Sequence, residues 1–295
     1  MTNTTNLNYQ RKQRAVKIVS KVSIYTVLCI FALWVILPFS IIISTSLKSW
    51  QEANTLGFSF IPKVITFEGY NNAITHTAYE QNLPALIKGF INTLIFVIPT
   101  TIIGLLTSSM AGFSFAKINF KGKKAMFGFL IVTMLIPGTI LIAPSYVMFD
   151  YIRWVDTPLP IIIPGMFGAA MCVFFMRQFY MGIPTDLVEA ARVDGMSYTG
   201  IFFKIMVPLS KPALIAQAVL GFMGGYNDYF NPYIYLQSPQ YHTVQIALRE
   251  FAGTYSSKIN TLMAGSIVVL VPAFIIYIFA QRYFVEGIAT TGMKL

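Results

Sequence analysis

Residues 22–47 read VSIYTVLCIFALWVILPFSIIISTSL, an unbroken stretch without one charged side chain. A helix needs about 20 apolar residues to cross roughly 30 Å of hydrocarbon, so this run is long enough to span a bilayer. The basic residues before it (Arg11, Lys12, Arg14, Lys17, Lys21) give the N-terminus the outline of a secretory signal. The apolar run is too long for a signal core and no small-x-small cleavage site follows, so it reads as an uncleaved first span.

Working outward, charge-free runs recur at 89–116, 125–149, 157–176 and 259–281, and a sixth, 212–236, is interrupted only by Asp228. The chain of 295 residues is 56% apolar and only 11% charged, against about 25% charged in a soluble domain, which could not cover its surface with so few. The reading is an all-α membrane protein with six transmembrane helices, at 22–43, 90–113, 125–148, 160–178, 212–235 and 262–280. Residues 1–21 form a basic tail, 22–281 one membrane domain, and 282–295 a second tail. Prolines and glycines inside the spans, among them Pro99, Pro137, Gly138, Pro164 and Pro272, predict kinks. In lipid, a kink survives only where a neighbour re-satisfies the freed backbone groups. The small residues Gly104, Ser108 and Gly112, and Gly165, Gly168 and Ala169, predict close helix approach.

The net charge of +10 could suggest nucleic acid, but its distribution argues otherwise. With six spans, 15 of the 21 basic residues fall on the side of the two tails and the 2–3 and 4–5 loops. The positive-inside rule puts that side in the cytoplasm. No nucleic-acid partner is expected. Cys29 and Cys172 fall inside spans and read as packing residues, while His76 and His242 stand alone on external loops and read as solvated. No metal site, cofactor site or catalytic residue is expected on this chain. The Lys121–Lys124 run lacks the glycine and hydroxyl spacing of a phosphate loop. The external loop over 44–87 carries Trp50, Tyr70 and Tyr79 at the expected interface, and 237–261 reads as a polar loop.

The 4–5 loop, 180–211, is unusually patterned. Residues 183–214 read IPTDLVEAARVDGMSYTGIFFKIMVPLSKPAL. Pro184 suits a first helical turn, and Gly195 offers the left-handed residue that ends a helix. Ser197 can cap a second short helix, which is expected to run to Met206 and be stopped by Pro208. The segment therefore reads as a helix-turn-helix lying at the membrane surface.

These residues resemble the EAA loop of ABC importer permeases, in which E-A-A is followed by three residues, G, nine residues, then I-x-L-P. Glu189, Ala190, Ala191, Gly195, Ile205 and Pro208 stand at those positions, with Val207 for the usual leucine. The resemblance extends to the carbohydrate-type, maltose importer-like subfamily through SSMAGFSFAK, MLIPG, FFMRQFYMGIP, GGYNDYFNP and the ending QRYFVEGIATTGMKL. It implies a coupling helix contacting an ATPase through Glu189, Ala190, Ala191, Asp194, Gly195, Ile205 and Pro208. It further implies a second permease as partner, two ATPase subunits that hold ATP and Mg, and an extracytoplasmic solute-binding protein that delivers a sugar. The setting it implies is the bacterial inner membrane. Tyr226, Asn227 and Asp228 are candidates for the substrate path, Asp228 being the one acid inside a span. An ion-coupled secondary transporter is the alternative, though no internal repeat accompanies that acid.

Overall fold

The longest break-free apolar stretch of the middle of the sequence forms a 33-residue helix, Ala85–Lys117. At 1.5 Å per residue it is about 50 Å long, longer than the hydrocarbon layer. Gly104, Ser108 and Gly112 recur on it at a spacing of four and make one narrow, side-chain-poor face. Against that face lie the helices Leu159–Met166 and Ala170–Met181. The approach is close: a Cβ on Gly104 would stand 2.5 Å from the Gly165 carbonyl oxygen, and one on Gly112 would stand 2.9 Å from the Arg177 nitrogen. Helices Lys211–Asn227 and Val244–Thr254 also pack on Ala85–Lys117, which makes it the post of the bundle.

This computed structural model describes the backbone of residues 2–55, 59–78 and 82–292, and side chains over 17–55, 59–78, 82–279 and 281. Tyr79 lies outside the described residues. All regular structure among the described residues is helical. Four helices are long and apolar enough to cross a membrane: Lys17–Ser46, Ala85–Lys117, Leu159–Met181 and Ile259–Phe279. Two bent pairs, each counted as one span, bring the total up to six: Lys123–Leu135 with Gly138–Tyr151, bent by 88°, and Tyr198–Leu209 with Lys211–Asn227, bent by 83°.

In three spans the helix is broken outright rather than kinked. The third breaks at Ile136, which is extended ahead of Pro137, as the proline ring demands of its predecessor. The fourth breaks over 167–169, where Gly168 has φ +85°. There the freed Met166 carbonyl accepts a hydrogen bond from the Thr107 hydroxyl (2.9 Å). The Ala169 N–H donates to Ser108 Oγ (3.2 Å). The neighbouring helix thus supplies both missing partners, the condition for breaking a helix inside lipid. The fifth ends at Asn227 rather than near 235, because Asp228 turns extended and a separate short helix, Phe230–Tyr235, follows. The expected polar loop over 237–261 contains a helix, Val244–Thr254. Its buried residues Val244, Ala247 and Phe251 recur at helical spacing.

The chain divides into two compact units, Met1–Asn72 with Tyr255–Ile267, and Ala73–Thr254 with Val268–Leu295. In the first, the Trp50 indole N–H and the Asn54 amide both donate to the Ser257 carbonyl, and Tyr70 pairs with Ser46 (2.8 Å). The Asn260 amide donates to the Lys48 carbonyl (3.2 Å). The Lys17–Ser46 segment is apolar all round, and none of its most apolar window is buried within the chain. Its side chains over 17–39, Cys29 included, are exposed, as expected of a helix whose environment is lipid or another subunit. The second unit holds the core and every candidate site residue.

Candidate functional site

The 4–5 segment folds into two short helices joined by a tight turn. Helix Asp186–Val193 begins after Thr185, whose carbonyl accepts from the Val188 and Glu189 N–H groups. Pro184 stands just before that cap rather than inside the helix. The helix ends in a double capping arrangement: Gly195 N–H donates to the Arg192 carbonyl and Met196 N–H to the Ala191 carbonyl. Gly195 sits at φ +82° to allow it, the left-handed closure that glycine favours. Ser197 Oγ then accepts from the Gly200 N–H (3.1 Å) and caps the next helix.

Pro208 does not stop that helix as expected. Tyr198–Ile201 passes into a wider π-helical turn over Phe202–Met206, and the run continues through Val207–Leu209. Val207 N–H reaches back five residues to the Phe202 carbonyl. Pro208 lacks an N–H and would crowd the carbonyl four residues before it. Widening the preceding turn accommodates the ring without breaking the helix.

Burial sorts the motif residues into two groups. Glu189, Ala190, Asp194, Gly195 and Pro208 are exposed, and Ile205 is half-buried. Ala191 is buried, so of the two adjacent alanines one faces out and the other faces the bundle. Ala191 joins Val188, Ile201, Phe202 and Met206 in a cluster with Phe113, Met176, Tyr180 and Ala213. These last four come from the second, fourth and fifth spans, so the segment is keyed into the bundle at three places. A buried polar relay reinforces the joint: the Tyr180 hydroxyl pairs with Ser109 (2.6 Å) and Ser210 (3.3 Å). Lys117 Nζ donates to the Ile183 carbonyl and to Thr185 Oγ1, holding the entrance of the segment to the end of the central helix. Arg177 donates to the Phe115 carbonyl and lies 4.0 Å over the Phe127 ring.

The second candidate group is dispersed. Tyr226 is 1% exposed, and its hydroxyl donates to the Val269 carbonyl (2.7 Å). Asn227 is exposed and donates to the Met223 carbonyl one turn back. The Asp228 carboxylate accepts from the Asn231 N–H (3.2 Å) and side-chain amide (2.7 Å). It thereby caps the short helix that follows the break.

Sequence reasoning missed three features. Asp156, at φ 60°, accepts from the Gln237 N–H and from the Ser238 N–H and hydroxyl. It clasps the loop after the third span to the loop after the fifth. Burial pushes this carboxyl up, but the Ser238 and Gln237 hydrogen bonds outweigh it and hold the group below its ordinary value. An isolated acid between Trp154 and Pro158 gave no signal of that partner 80 residues away. His242 is not alone, since its Nδ1 lies 3.2 Å from the carboxylate of Glu250, eight residues on in helix Val244–Thr254. Finally, a groove of about 320 Å³ opens among the second, fourth and fifth spans, lined by Thr100, Thr101, Ser108, Cys172, Gln217 and several glycines.

Comparison with known proteins agrees with this architecture. Residues 104–290 match the family model described as binding-protein-dependent transport system inner membrane component. The chain is 32% identical over 259 residues to the arabinooligosaccharides transport system permease protein of Bacillus subtilis (strain 168), covering 87% of this chain and 90% of that one. It is 31% identical to the lactose transport system permease protein of Rhizobium radiobacter, over 67% of this chain and 72% of that one. Among solved structures, a bacterial ABC transporter involved in the import of the acidic polysaccharide alginate superposes with a TM-score of 0.76 at 24% identity, covering 93% of this chain and 98% of that chain. That likeness carries the fold. A bundle of up to six spans keyed to an EAA-patterned surface segment, with a family match over most of the chain, leads to one conclusion: the chain belongs to the binding-protein-dependent transport system inner membrane components and is a permease subunit of an ABC importer.

Proposed function

We propose that this permease moves an oligosaccharide across the bacterial inner membrane, and that the 183–209 segment couples that movement to ATP hydrolysis on partner subunits. The family description calls for an extracytoplasmic binding protein, and the names of the relatives favour a carbohydrate cargo. The assembly is read as this chain with a second permease and two ATPase subunits, which hold ATP and Mg. Both tails of the chain face the cytoplasm, in keeping with the 15 basic residues on that side.

The observation that carries the coupling reading is the two-sidedness of the segment. Glu189, Ala190, Asp194 and Gly195 are exposed, while Val188, Ala191, Ile201, Phe202 and Met206 are locked into the core. An outer surface where Ala190 and Gly195 stand beside the acids Glu189 and Asp194 suits a groove on a partner, and the locked inner surface transmits a push to three spans without deforming. Close-packed interiors behave in this way because they have little free volume to absorb strain.

Substrate-stimulated ATPase activity of the reconstituted complex tests the proposal. Ala190→Asp places a charge at the outer surface, where docking would strip it of water. The variant is expected to assemble with the partner permease while losing most of the stimulation. Wild-type stimulation in Ala190→Asp, in a complex of normal yield, overturns the coupling role. ATP-driven uptake that persists when the proton gradient is collapsed separates this reading from ion-coupled transport.

A further inference from the structure

We infer that the mid-membrane groove between the second, fourth and fifth spans is where this chain contacts its cargo, with the Thr101 hydroxyl and the Gln217 amide as the recognising groups. The inference rests on the carbohydrate reading above and assigns it a site. Three observations carry it: depth, chemistry and unpartnered polarity.

Thr100 and Thr101 stand at the middle of the 33-residue helix Ala85–Lys117, about 24 Å from either end at 1.5 Å per residue. On the fourth span the groove meets the chain between Gly165 and Cys172, across the helix break. Gln217 lies in the middle of Lys211–Asn227. The groove therefore lies near the middle of the spans that line it, the depth at which alternating-access carriers hold a solute.

Its lining contains no charged side chain; the polar groups are hydroxyls, one amide and one thiol. Such a lining discriminates against ions and matches a neutral, polyhydroxylated ligand, whose groups both donate and accept. Glycines 104, 165, 168 and 221 remove bulk from the walls, and a volume of about 320 Å³ reaches the range of small-molecule sites.

The other lining hydroxyls are already engaged: Thr100 donates to the Phe96 and Val97 carbonyls, and Ser108 accepts from Ala169. Among the described residues, neither the Thr101 hydroxyl nor the Gln217 side chain has a hydrogen-bond partner. A primary amide left unpaired in hydrocarbon is costly. An acyl chain offers it nothing, whereas a sugar hydroxyl meets both its donor and its acceptor.

The test uses the whole transporter in proteoliposomes with its binding protein, and labelled arabinotriose, maltotriose and lactose as probes. Wild type is expected to import at least one. For that probe, Gln217→Leu and Thr101→Val should each raise the KM of uptake about two- to tenfold, the effect of one lost neutral hydrogen bond. Cys172, in the groove wall, gives a second readout in an otherwise native complex. With Cys29→Ser removing the other thiol, a saturating concentration of the imported probe should slow modification of Cys172 by a small neutral thiol reagent severalfold. If wild type imports none of the three sugars, the carbohydrate reading falls and takes this ligand class with it. Import with unchanged KM in both variants, or Cys172 modification indifferent to the probe, overturns the groove alone. Where a variant fails to assemble, the Cys172 measurement decides.

Discussion

Replacing Gly168 by alanine puts a methyl group where the structure has left no room for one. Gly168 holds φ +85°, and a Cβ there would collide with Ser108 Oγ and stand 3.0 Å from the Gly104 carbonyl oxygen. The left-handed conformation costs a non-glycine residue about 1–2 kcal/mol. Ser108 can rotate away, but its oxygen is the acceptor for the Ala169 N–H (3.2 Å), and a buried donor without a partner costs about 1–3 kcal/mol. Together these predict a loss of about 2–5 kcal/mol, or roughly 5–15 °C in the midpoint of heat-induced loss of the monodisperse complex. Gly128→Ala is the matched control: it lies in helix Lys123–Leu135 with no atom within 4 Å of the added methyl. It should be neutral or stabilise by up to about 1 kcal/mol. The double variant Ser108→Ala with Gly168→Ala should lose less than the sum of the singles, because both remove the same hydrogen bond. A Gly168→Ala midpoint within a degree of wild type would refute the claim that this break is over-determined by its neighbours.

Two further outcomes follow from the same structure. Tyr226→Phe removes only the hydroxyl that donates to the Val269 carbonyl, so it should cost about 0.5–1.5 kcal/mol of stability while uptake KM stays at the wild-type value; a raised KM would return Tyr226 to the substrate path. Asp156 is held below its ordinary carboxyl value by the Ser238 and Gln237 hydrogen bonds, against the upward push of burial. A depressed folded value means that stability is present above the unfolded value, near 4, and lost as pH falls through the folded one. The midpoint difference between wild type and Asp156→Ala should therefore be flat from pH 8 to about 5 and shrink in more acidic buffer, and a difference that widens with acid would contradict the clasp.

The spans were legible because lipid tolerates so few charges: the runs bounded by Lys21 and Lys48, and by Lys88 and Lys117, could be nothing shorter than crossings. The turn chemistry of the 4–5 segment was legible as well, since Gly195 and Ser197 each act through local backbone geometry. Elsewhere long-range partners decided the outcome. Pro137 and Gly168 marked possible bends, but only the hydroxyls of Thr107 and Ser108 determine that a full break is affordable at 167–169. Ala190 and Ala191 are identical in type, and their different burial follows from the Val188–Ala191 spacing that faces Phe202 and Met206. Pro208 misled because a π turn can absorb a proline that an α turn cannot. The groove was illegible, being made of glycines and small polar residues drawn from three separated segments.

The interruptions of the bundle share a logic that separates structural polarity from functional polarity. At 167–169 the freed carbonyl and N–H are met by Thr107 and Ser108. At 228 the one acid of the fifth span is met by Asn231. At 237–238 the exposed N–H groups are met by Asp156. Within the spans, the polar groups at 166–169 and at 228 have protein partners close by, because the membrane interior supplies no water to substitute for one. Against that pattern the Thr101 hydroxyl and the Gln217 amide stand apart: they line the groove at mid-span, and they have no partner among the described residues. In an importer, the reason closest to hand for two unpartnered polar groups lining a groove at mid-span is the solute that passes between them.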